Sequence, residues 1–297
     1  MTVHPTLQPV LDEVEQYRRW VQAYDPPAAS QPFLQPEVQT LPQSELKALQ
    51  SDRLYGAAVR TWEGSPFFRE RMERYRVTPD AIRDVSDVRK LPITTKQDLF
   101  QDAETHPPFG SYHSQNDWLT LTLSGGTSGR SMEIPDTWAD LVLQGEGSMR
   151  CFWRAGLRPG SVLVNTYPST PLVAGNYIAF YAPLFVGAKT LNTGILSDEG
   201  TARTVFGVLQ KVAELPKILM TTPTILSTYT SWANALGIDL ASLGWKGACF
   251  ASEPWAAKPG ARKHYEDLLG CRVYDLCGTM DIYTYGYGSE CSFQRGM

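Results

Sequence analysis

Apolar residues in the first 115 positions recur mostly at helical spacing. In the opening segment they share one helical face: Leu7, Val10, Leu11, Val14, Tyr17, Trp20 and Val21. Intervals of three and four residues are typical of an amphipathic α-helix. Five prolines between positions 25 and 43 interrupt the pattern, because proline removes a backbone donor and disfavours helix before it. We predict a mainly helical region, residues 1–115, that includes a wrapping arm or linker.

From Trp118 onward the pattern changes to short β-rich runs that alternate with helical stretches. Seven runs have this character: 118–123, 132–135, 161–166, 189–191, 217–221, 246–250 and 272–276. Strands that alternate with helices are typical of an α/β sheet with helices on both faces. Residues 116–297 are therefore predicted to form an α/β region.

Composition narrows the possible partners. The chain has 297 residues, of which 42% are apolar, and a formal charge of −4, so charge gives no reason to expect nucleic acid or an anionic membrane. The longest apolar run, Tyr177–Ala188, is shorter than the roughly 20 residues that a membrane helix needs. Asp12, Glu13 and Glu15 interrupt the place where a signal peptide would be apolar. We predict a cytoplasmic protein without a membrane segment.

The cysteines and histidines show no familiar catalytic pattern. The five cysteines, at positions 151, 249, 271, 277 and 291, include no Cys-x-x-Cys pair and match no standard zinc site. Buried thiols are favoured, and a zinc site stays open as the alternative. The four histidines lie in no recognisable Ser/His/Asp context, so a hydrolase is disfavoured.

The segment with the clearest chemistry lies between two predicted strands, 119–123 and 132–135. Its sequence is Ser124, Gly125, Gly126, Thr127, Ser128, Gly129 and Arg130. Glycines allow close backbone approach, and hydroxyls and a guanidinium supply donors for polyphosphate oxygens. A Walker A loop is excluded, because Ser124 replaces its first glycine and a strand follows. A flexible hairpin turn, with Arg130 as a solvated charge, is the alternative.

This loop resembles the signature loop of the adenylate-forming superfamily. Further segments resemble its phenylacetate:CoA ligase-like branch, in the same order over residues 60–297: 65–71, 91–99, 155–160, 250–255 and 274–281. The resemblance implies one large N-terminal domain, in which a helical region precedes a mixed sheet with helices on both faces. It also implies that the chain stops before a ribose-binding aspartate and the mobile C-terminal lid with its lysine.

The resemblance implies roles for particular residues. The loop 124–130 would hold the phosphates of ATP, and Asp281 would take the place of a glutamate that binds Mg²⁺, so that Asp281 and Arg130 are the catalytic candidates. Two further segments would line the adenine site: Ser252, Glu253 and Pro254, and Asp275, Cys277, Gly278 and Thr279. Glu253 is equally compatible with a structural role. Cys277 stands where the family has an aromatic residue beside adenine, and Met280 replaces a hydroxyl residue.

The activity implied is that of an acid-activating ligase, incomplete in this chain. ATP and a small carboxylic acid, predicted to be aromatic, would give an acyl adenylate and pyrophosphate, with CoA, a carrier-protein thiol or an amine as acceptor. Aromatic residues that could line the acid pocket, or equally belong to the core, are Tyr167, Tyr177, Phe180, Tyr181 and Trp255. A nucleotide- or acyl-binding module without turnover is the alternative. The acid, the acceptor and the oligomeric state stay open.

Overall fold

The computed structural model describes residues 27–113, 118–124, 130–168, 179, 182–279, 283–291 and 293–294. Its contacts define two units. One is Gln35–Asp140, and the other combines Met1–Leu34 with Leu141–Met297. The predicted division into 1–115 and 116–297 follows the sequence pattern rather than contacts, and it stays a prediction.

The unit Gln35–Asp140 begins with helices. They are α1 (Pro36–Gln39), α2 (Gln43–Gly64), α3 (Pro66–Arg74) and α4 (Lys96–Thr105), with 3₁₀ turns at Pro79–Ala81 and Val85–Lys90. Local sequence sets their starts, because the side chain of Ser65 accepts the Phe68 N–H, and Thr95 and Asp98 form a capping box. The helical prediction is confirmed for residues 27–113, and the predicted helix at residues 7–21 lies outside the described residues.

A hairpin completes this unit. Strands β1 (Thr120–Leu123) and β2 (Glu133–Asp136) pair antiparallel in a two-stranded sheet of their own. The buried carboxylate of Asp136 accepts a hydrogen bond from Thr122 Oγ1 at 3.2 Å. The strands were predicted, but not their separation from the larger sheet, because a rhythm of short runs carries no information on pairing partners.

The other unit contains a six-stranded mixed sheet. Its strands are β3 (Val162–Asn165), β4 (Lys189–Asn192), β5 (Lys217–Thr221), β6 (Trp245–Phe250), β7 (Val273–Thr279) and β8 (Tyr283–Ser289). Their order is β4-β3-β5-β6-β7-β8, with parallel pairing up to β7 and an antiparallel β7–β8 pair. The mixed sheet is confirmed, although β8 was not predicted.

Helices cover both faces of this sheet, as predicted. They are α5 (Trp138–Ala155), α6 (Glu199–Lys211), α7 (Pro223–Leu236) and α8 (Ala261–Leu269), with 3₁₀ turns at Ala182–Val186 and Leu240–Leu243. Successive strand residues alternate between two cores. Leu163 and Ile218 pack with Phe152 of α5, whereas Leu219 and Phe250 pack with the inner faces of α6, α7 and α8.

The proline-rich segment wraps onto this unit over residues 27–34. Arg158 Nε donates to the Ala29 carbonyl at 2.7 Å, and Trp153 Nε1 donates to the Gln31 carbonyl at 2.8 Å. Leu34 is buried in the same core as Trp153. Of the two predicted alternatives, the structure therefore favours a wrapping arm for these residues.

Lys217 fixes the amino end of β5. Its side chain is fully buried, and Nζ donates to the carbonyls of Val212 at 2.6 Å, Ala213 at 2.9 Å and Leu215 at 2.8 Å. These carbonyls follow the last turn of α6, where the regular helical hydrogen bonding has ended, and the Val212 carbonyl also accepts from the Leu215 N–H at 3.0 Å. Burial lowers the pKa of Lys217, partly offset by the charge of Glu214. The ammonium group is thus a structural cap.

We predict that Lys217→Met lowers the free energy of unfolding by about 3 kcal/mol, because three carbonyls at the end of α6 lose the charged donor that a buried side chain supplies. Urea unfolding monitored by circular dichroism measures this loss. Lys246→Met is the matched control, because Lys246 is an exposed lysine on the neighbouring strand, and its effect should stay below about 0.5 kcal/mol. Equal losses in the two variants would contradict the capping role.

Candidate functional site

The sheet has five parallel strands, β4, β3, β5, β6 and β7, and their carboxyl ends lie at one edge of it. The chain leaves β3 toward β4 on one side and leaves β5 toward β6 on the other, so the topological switch lies between β3 and β5. Ligands of open α/β sheets bind beyond this edge. Two buried residues at the switch, Thr166 and Thr221, have hydroxyl oxygens 2.8 Å apart, and the sequence analysis missed both.

The turn at residues 251–255 follows β6 at this edge. Ser252 has φ of +70°, in the left-handed region that costs a residue with a Cβ on the order of 1 kcal/mol. Its hydroxyl shares a hydrogen bond with the Tyr167 hydroxyl, 3.0 Å away. Tyr167 is 5% exposed and belongs to the core, so it joins the end of β3 to this turn. A role for Tyr167 in lining an acid pocket stays a prediction.

Glu253, the next residue of the turn, contacts the start of α7. Its Oε2 accepts from the Thr224 backbone N–H at 3.2 Å and from Thr224 Oγ1 at 2.7 Å. A carboxylate at a helix N-terminus is stabilised by the unpaired amides there. These contacts favour the structural role for Glu253. The exposed neighbours Ser252 and Pro254 are the accessible part of the turn.

Trp255 ends the turn and is buried, with 2% of its surface exposed. Its ring packs against Phe250 at a centroid distance of 5.1 Å and Tyr265 at 5.7 Å. The indole Nε1 donates to Asp275 Oδ1 at 2.8 Å. The burial favours a core role for Trp255, and its predicted contact with an aryl group stays a prediction. The bond to Asp275 connects the two segments that resemble adenine-binding motifs.

Asp275 is part of a network with Trp255, Arg262 and Glu290, which we call the Asp275 network. The backbone N–H of Asp275 donates to Glu290 Oε2 at 2.9 Å, and Glu290 Oε1 accepts from Arg262 Nη2 at 2.7 Å. The Arg262 guanidinium lies 5.1 Å from the centroid of the Trp255 ring, which closes the network. Arg262 and Glu290 carried no motif signal, so the sequence analysis missed them.

The pKa of Asp275 is raised from its ordinary value, chiefly because burial penalises the charged form. The hydrogen bond from Trp255 lowers it, the charge of Glu290 raises it, and the charge of Arg262 lowers it. Beyond Asp275, Cys277 and Gly278 are exposed on β7. Thr279 ends the strand, and its side chain lies outside the described residues, so its predicted role stays a prediction.

In the unit Gln35–Asp140, Ser124 closes the base of the predicted phosphate loop. Its backbone N–H donates to the Met132 carbonyl at 2.9 Å, and its Oγ accepts from the Met132 N–H at 2.7 Å. The buried hydroxyl is therefore engaged in the hairpin. The remaining loop residues lie outside the described residues: Gly125, Gly126, Thr127, Ser128 and Gly129.

Arg130 follows this loop and contacts α4. Its Nη1 lies 2.7 Å from Glu104 Oε1, and its guanidinium lies 4.3 Å from the centroid of the Phe100 ring. The Arg130 side chain is 52% exposed, and exposed ion pairs contribute little stability. Binding of phosphate by Arg130 stays a prediction.

Four other predicted site residues lie outside the described residues: Tyr177, Phe180, Tyr181 and Asp281. Among the described residues, no group of three or more His, Cys, Asp and Glu side chains could hold a metal ion. Cys151 and Cys249 are buried, and burial raises the pKa of Cys151 to about 11. None of the helices within the described ranges is long and apolar enough to cross a membrane.

Comparison with known proteins supports the resemblance in the motifs. No protein-family model matches the chain. It is 29% identical to a phenylacetate-coenzyme A ligase of Thermus thermophilus over 264 residues, which cover 88% of this chain and 56% of that protein. It is 28% identical over 267 residues to a phenylacetate-coenzyme A ligase of Escherichia coli, covering 86% and 56%. The chain thus spans about half the length of the curated relatives it matches.

Solved structures show the fold. An open conformation of 2-hydroxyisobutyryl-CoA ligase in complex with 2-HIB-AMP and CoA has a TM-score of 0.80 at 23% identity, covering 90% of this chain and 57% of that one. The postadenylation state of that ligase with 2-HIB-AMP gives 0.80 at 24% identity, covering 91% and 56%. The chain has the fold of the N-terminal part of an adenylate-forming CoA ligase, and the resemblance to phenylacetate-CoA ligases is confirmed.

The raised pKa of Asp275 predicts how Asp275→Asn changes stability with pH. A raised pKa means that the folded chain holds the proton more tightly than the unfolded chain, so this stabilisation is lost as pH rises through the folded pKa. Asparagine keeps an acceptor for Trp255 without the charge. The free energy of unfolding of the variant, relative to the unsubstituted chain, should therefore rise from acidic to neutral pH. Urea unfolding over this range measures it, and a fall would contradict the assignment.

Proposed function

We propose that the chain supplies the ATP- and acid-binding part of a ligase that activates a carboxylic acid as an acyl adenylate. The observation that carries the proposal is the hydrogen bond between Trp255 and Asp275. It joins two segments, 20 residues apart, that resemble adenine-binding motifs, and both follow or belong to strands at the ligand-binding edge of the sheet. The similarity to phenylacetate-CoA ligases supports the same activity.

In the proposed reaction a carboxylate oxygen attacks the α-phosphorus of ATP. The bond from that phosphorus to the oxygen bridging to the β-phosphate breaks, and pyrophosphate leaves with the electron pair. Such transfers depend on positioning and on neutralising charge, and no nucleophilic side chain is required. This agrees with the described residues at the site, which supply the hydroxyls of Thr166 and Thr221, the carboxylate of Asp275 and the backbone of the 251–255 turn.

Each segment has a distinct proposed task. The exposed residues Ser252 and Pro254, with Asp275, receive the adenine, and the loop 124–130 with Arg130 binds the phosphates. Asp281 would be a hard oxygen ligand for Mg²⁺, which accepts one or two carboxylates together with phosphate oxygens and water. When bound, Mg²⁺ would supply positive charge to the phosphates.

An aromatic acid and CoA are the proposed partners. The relatives in sequence are named phenylacetate-coenzyme A ligases, and one matched structure contains 2-HIB-AMP and CoA whereas another contains 2-HIB-AMP. A carrier-protein thiol or an amine is the alternative acceptor. The proposed location is cytoplasmic. The similar proteins are named as ligases, so a ligase is favoured over a binding module without turnover.

Acid-dependent exchange of labelled pyrophosphate into ATP tests the activity, measured on a longer chain that spans the full length of the relatives, because this chain spans about half of it. With Mg²⁺, exchange should require an acid and should be faster with phenylacetate than with acetate. Calorimetry with ATP alone is run in parallel. Binding of ATP without exchange for any aryl or short-chain acid would favour the binding module, and absence of ATP binding would contradict the proposal.

Gly126→Val should weaken ATP binding at least about tenfold while the fold persists. A β-branched side chain blocks close approach to the phosphates and disfavours positive φ. Calorimetry measures the affinity, and circular dichroism checks the fold. Gly64→Val is the matched control, because a Cβ added at the end of α2 meets no atom within 4 Å. Unchanged affinity in Gly126→Val would remove the loop from the nucleotide site.

A further inference from the structure

The Asp275 network holds four elements together around one carboxylate. Trp255 ends the turn after β6, Arg262 lies in α8, Asp275 lies in β7 and Glu290 follows β8. Arg262 also donates through Nη1 to the Val273 carbonyl in β7. The hydrogen bonds among its four members join residues 20, 28 and 15 positions apart in sequence, so the network forms only in the folded unit.

Glu290 connects Arg262 to the backbone of Asp275. Its side chain is fully buried, and its two carboxylate oxygens are engaged separately, one by Arg262 and one by the Asp275 N–H. A buried carboxylate is stable only when it is paired and hydrogen-bonded. Arg262 therefore cannot move far from Glu290, and its guanidinium is held beside the ring of Trp255.

Trp255 in turn restricts the orientation of Asp275. The indole is fixed by Phe250 and Tyr265, and its single N–H is directed at Oδ1 of Asp275. A carboxylate bound through one oxygen to a rigid donor cannot rotate freely. It presents acceptor lone pairs in a fixed direction, which suits an N–H donor and repels a carbonyl oxygen.

We propose that Trp255, Arg262 and Glu290 are positioning residues that fix the Asp275 carboxylate so that it selects a nucleobase with an exocyclic amine. The inference rests on the proposed function, because it assigns the base specificity of that nucleotide site. None of the three residues needs to touch the nucleotide. Their effect is expected on discrimination between bases and not only on affinity.

ATP and inosine triphosphate are the probes, since hypoxanthine carries a carbonyl where adenine carries the amine. Calorimetry on the full 297-residue chain gives the ratio of the two dissociation constants. ATP should bind about tenfold or more tightly than inosine triphosphate, because one charge-assisted hydrogen bond contributes a factor of about this size to a dissociation constant. Trp255→Phe, which removes the N–H but keeps an aromatic ring, should reduce this ratio about tenfold, mainly by weakening ATP.

Trp245→Phe is the matched control. Trp245 is buried in the same apolar core, and its Nε1 donates to the Leu240 carbonyl at 2.9 Å, at the opposite end of β6. Both variants lose one indole hydrogen bond and a similar volume, so a merely structural effect should be alike in the two. Trp245→Phe should leave the ratio unchanged. Glu290→Gln is a second, smaller change that should also reduce the ratio. It keeps the proposal testable if Trp255→Phe does not fold.

The outcomes separate the inference from the proposed function. A chain that binds neither nucleotide overturns both. A chain that binds both nucleotides equally, or a Trp255→Phe variant that weakens both by the same factor, overturns the inference and leaves the proposed function intact. Loss of discrimination in Trp255→Phe and Glu290→Gln, but not in Trp245→Phe, supports the positioning role.

Discussion

Parallel pairing of β3, β5, β6 and β7 is the constraint on which the candidate site depends. Parallel strands require crossover helices that return the chain to the same end of the sheet, so every strand delivers its following turn to one edge. In this chain the edge receives Thr166 after β3, Thr221 at the end of β5 and the 251–255 turn after β6. The opposite edge carries structural groups such as Lys217 and Trp245. The proposed ligand site and these structural groups therefore lie at opposite ends of the same strands.

The hydrogen bond from Trp255 to Asp275 gives this edge its internal order. The parallel pairing of β6 with β7 places Phe250 beside Asp275, and this hydrogen bond adds a side-chain connection between the turn after β6 and β7. The buried ion pair of Arg262 and Glu290 contributes little net stability by itself, because desolvation offsets most of the attraction. Its consequence is specificity of arrangement, since removal of Arg262 would leave the charge of Glu290 buried without its partner. A site for a rigid, flat base benefits from such restriction.

Sequence patterns predicted the elements of the fold better than their assembly. All seven predicted strand runs correspond to strands, because each combines apolar residues with bounding turn residues. β8 was missed because Gly286 and Gly288 interrupt its run of tyrosines and supply no side chains to a pattern. The separate pairing of β1 and β2 was also missed, because pairing is decided by long-range contacts.

For the candidate site, motif resemblance located the segments but not the direction of their side chains. Ser252 and Pro254 are exposed as a ligand site requires, whereas Trp255, one position later, faces the core. Arg262 and Glu290 are separated by 28 residues, and nothing in either local sequence indicates the other. Such partners become visible only when the sheet places them together.

Hydrogen–deuterium exchange of the chain with and without ATP and Mg²⁺ tests most directly whether nucleotide binds at the carboxyl edge. The account predicts slower exchange in peptides that cover residues 251–255 and 273–279. Peptides at the amino edge around Lys217, and in the groove where Ser227 of α7 lies near His264 of α8, should not change. Protection at the amino edge or in that groove, with none at residues 251–255 and 273–279, would contradict it.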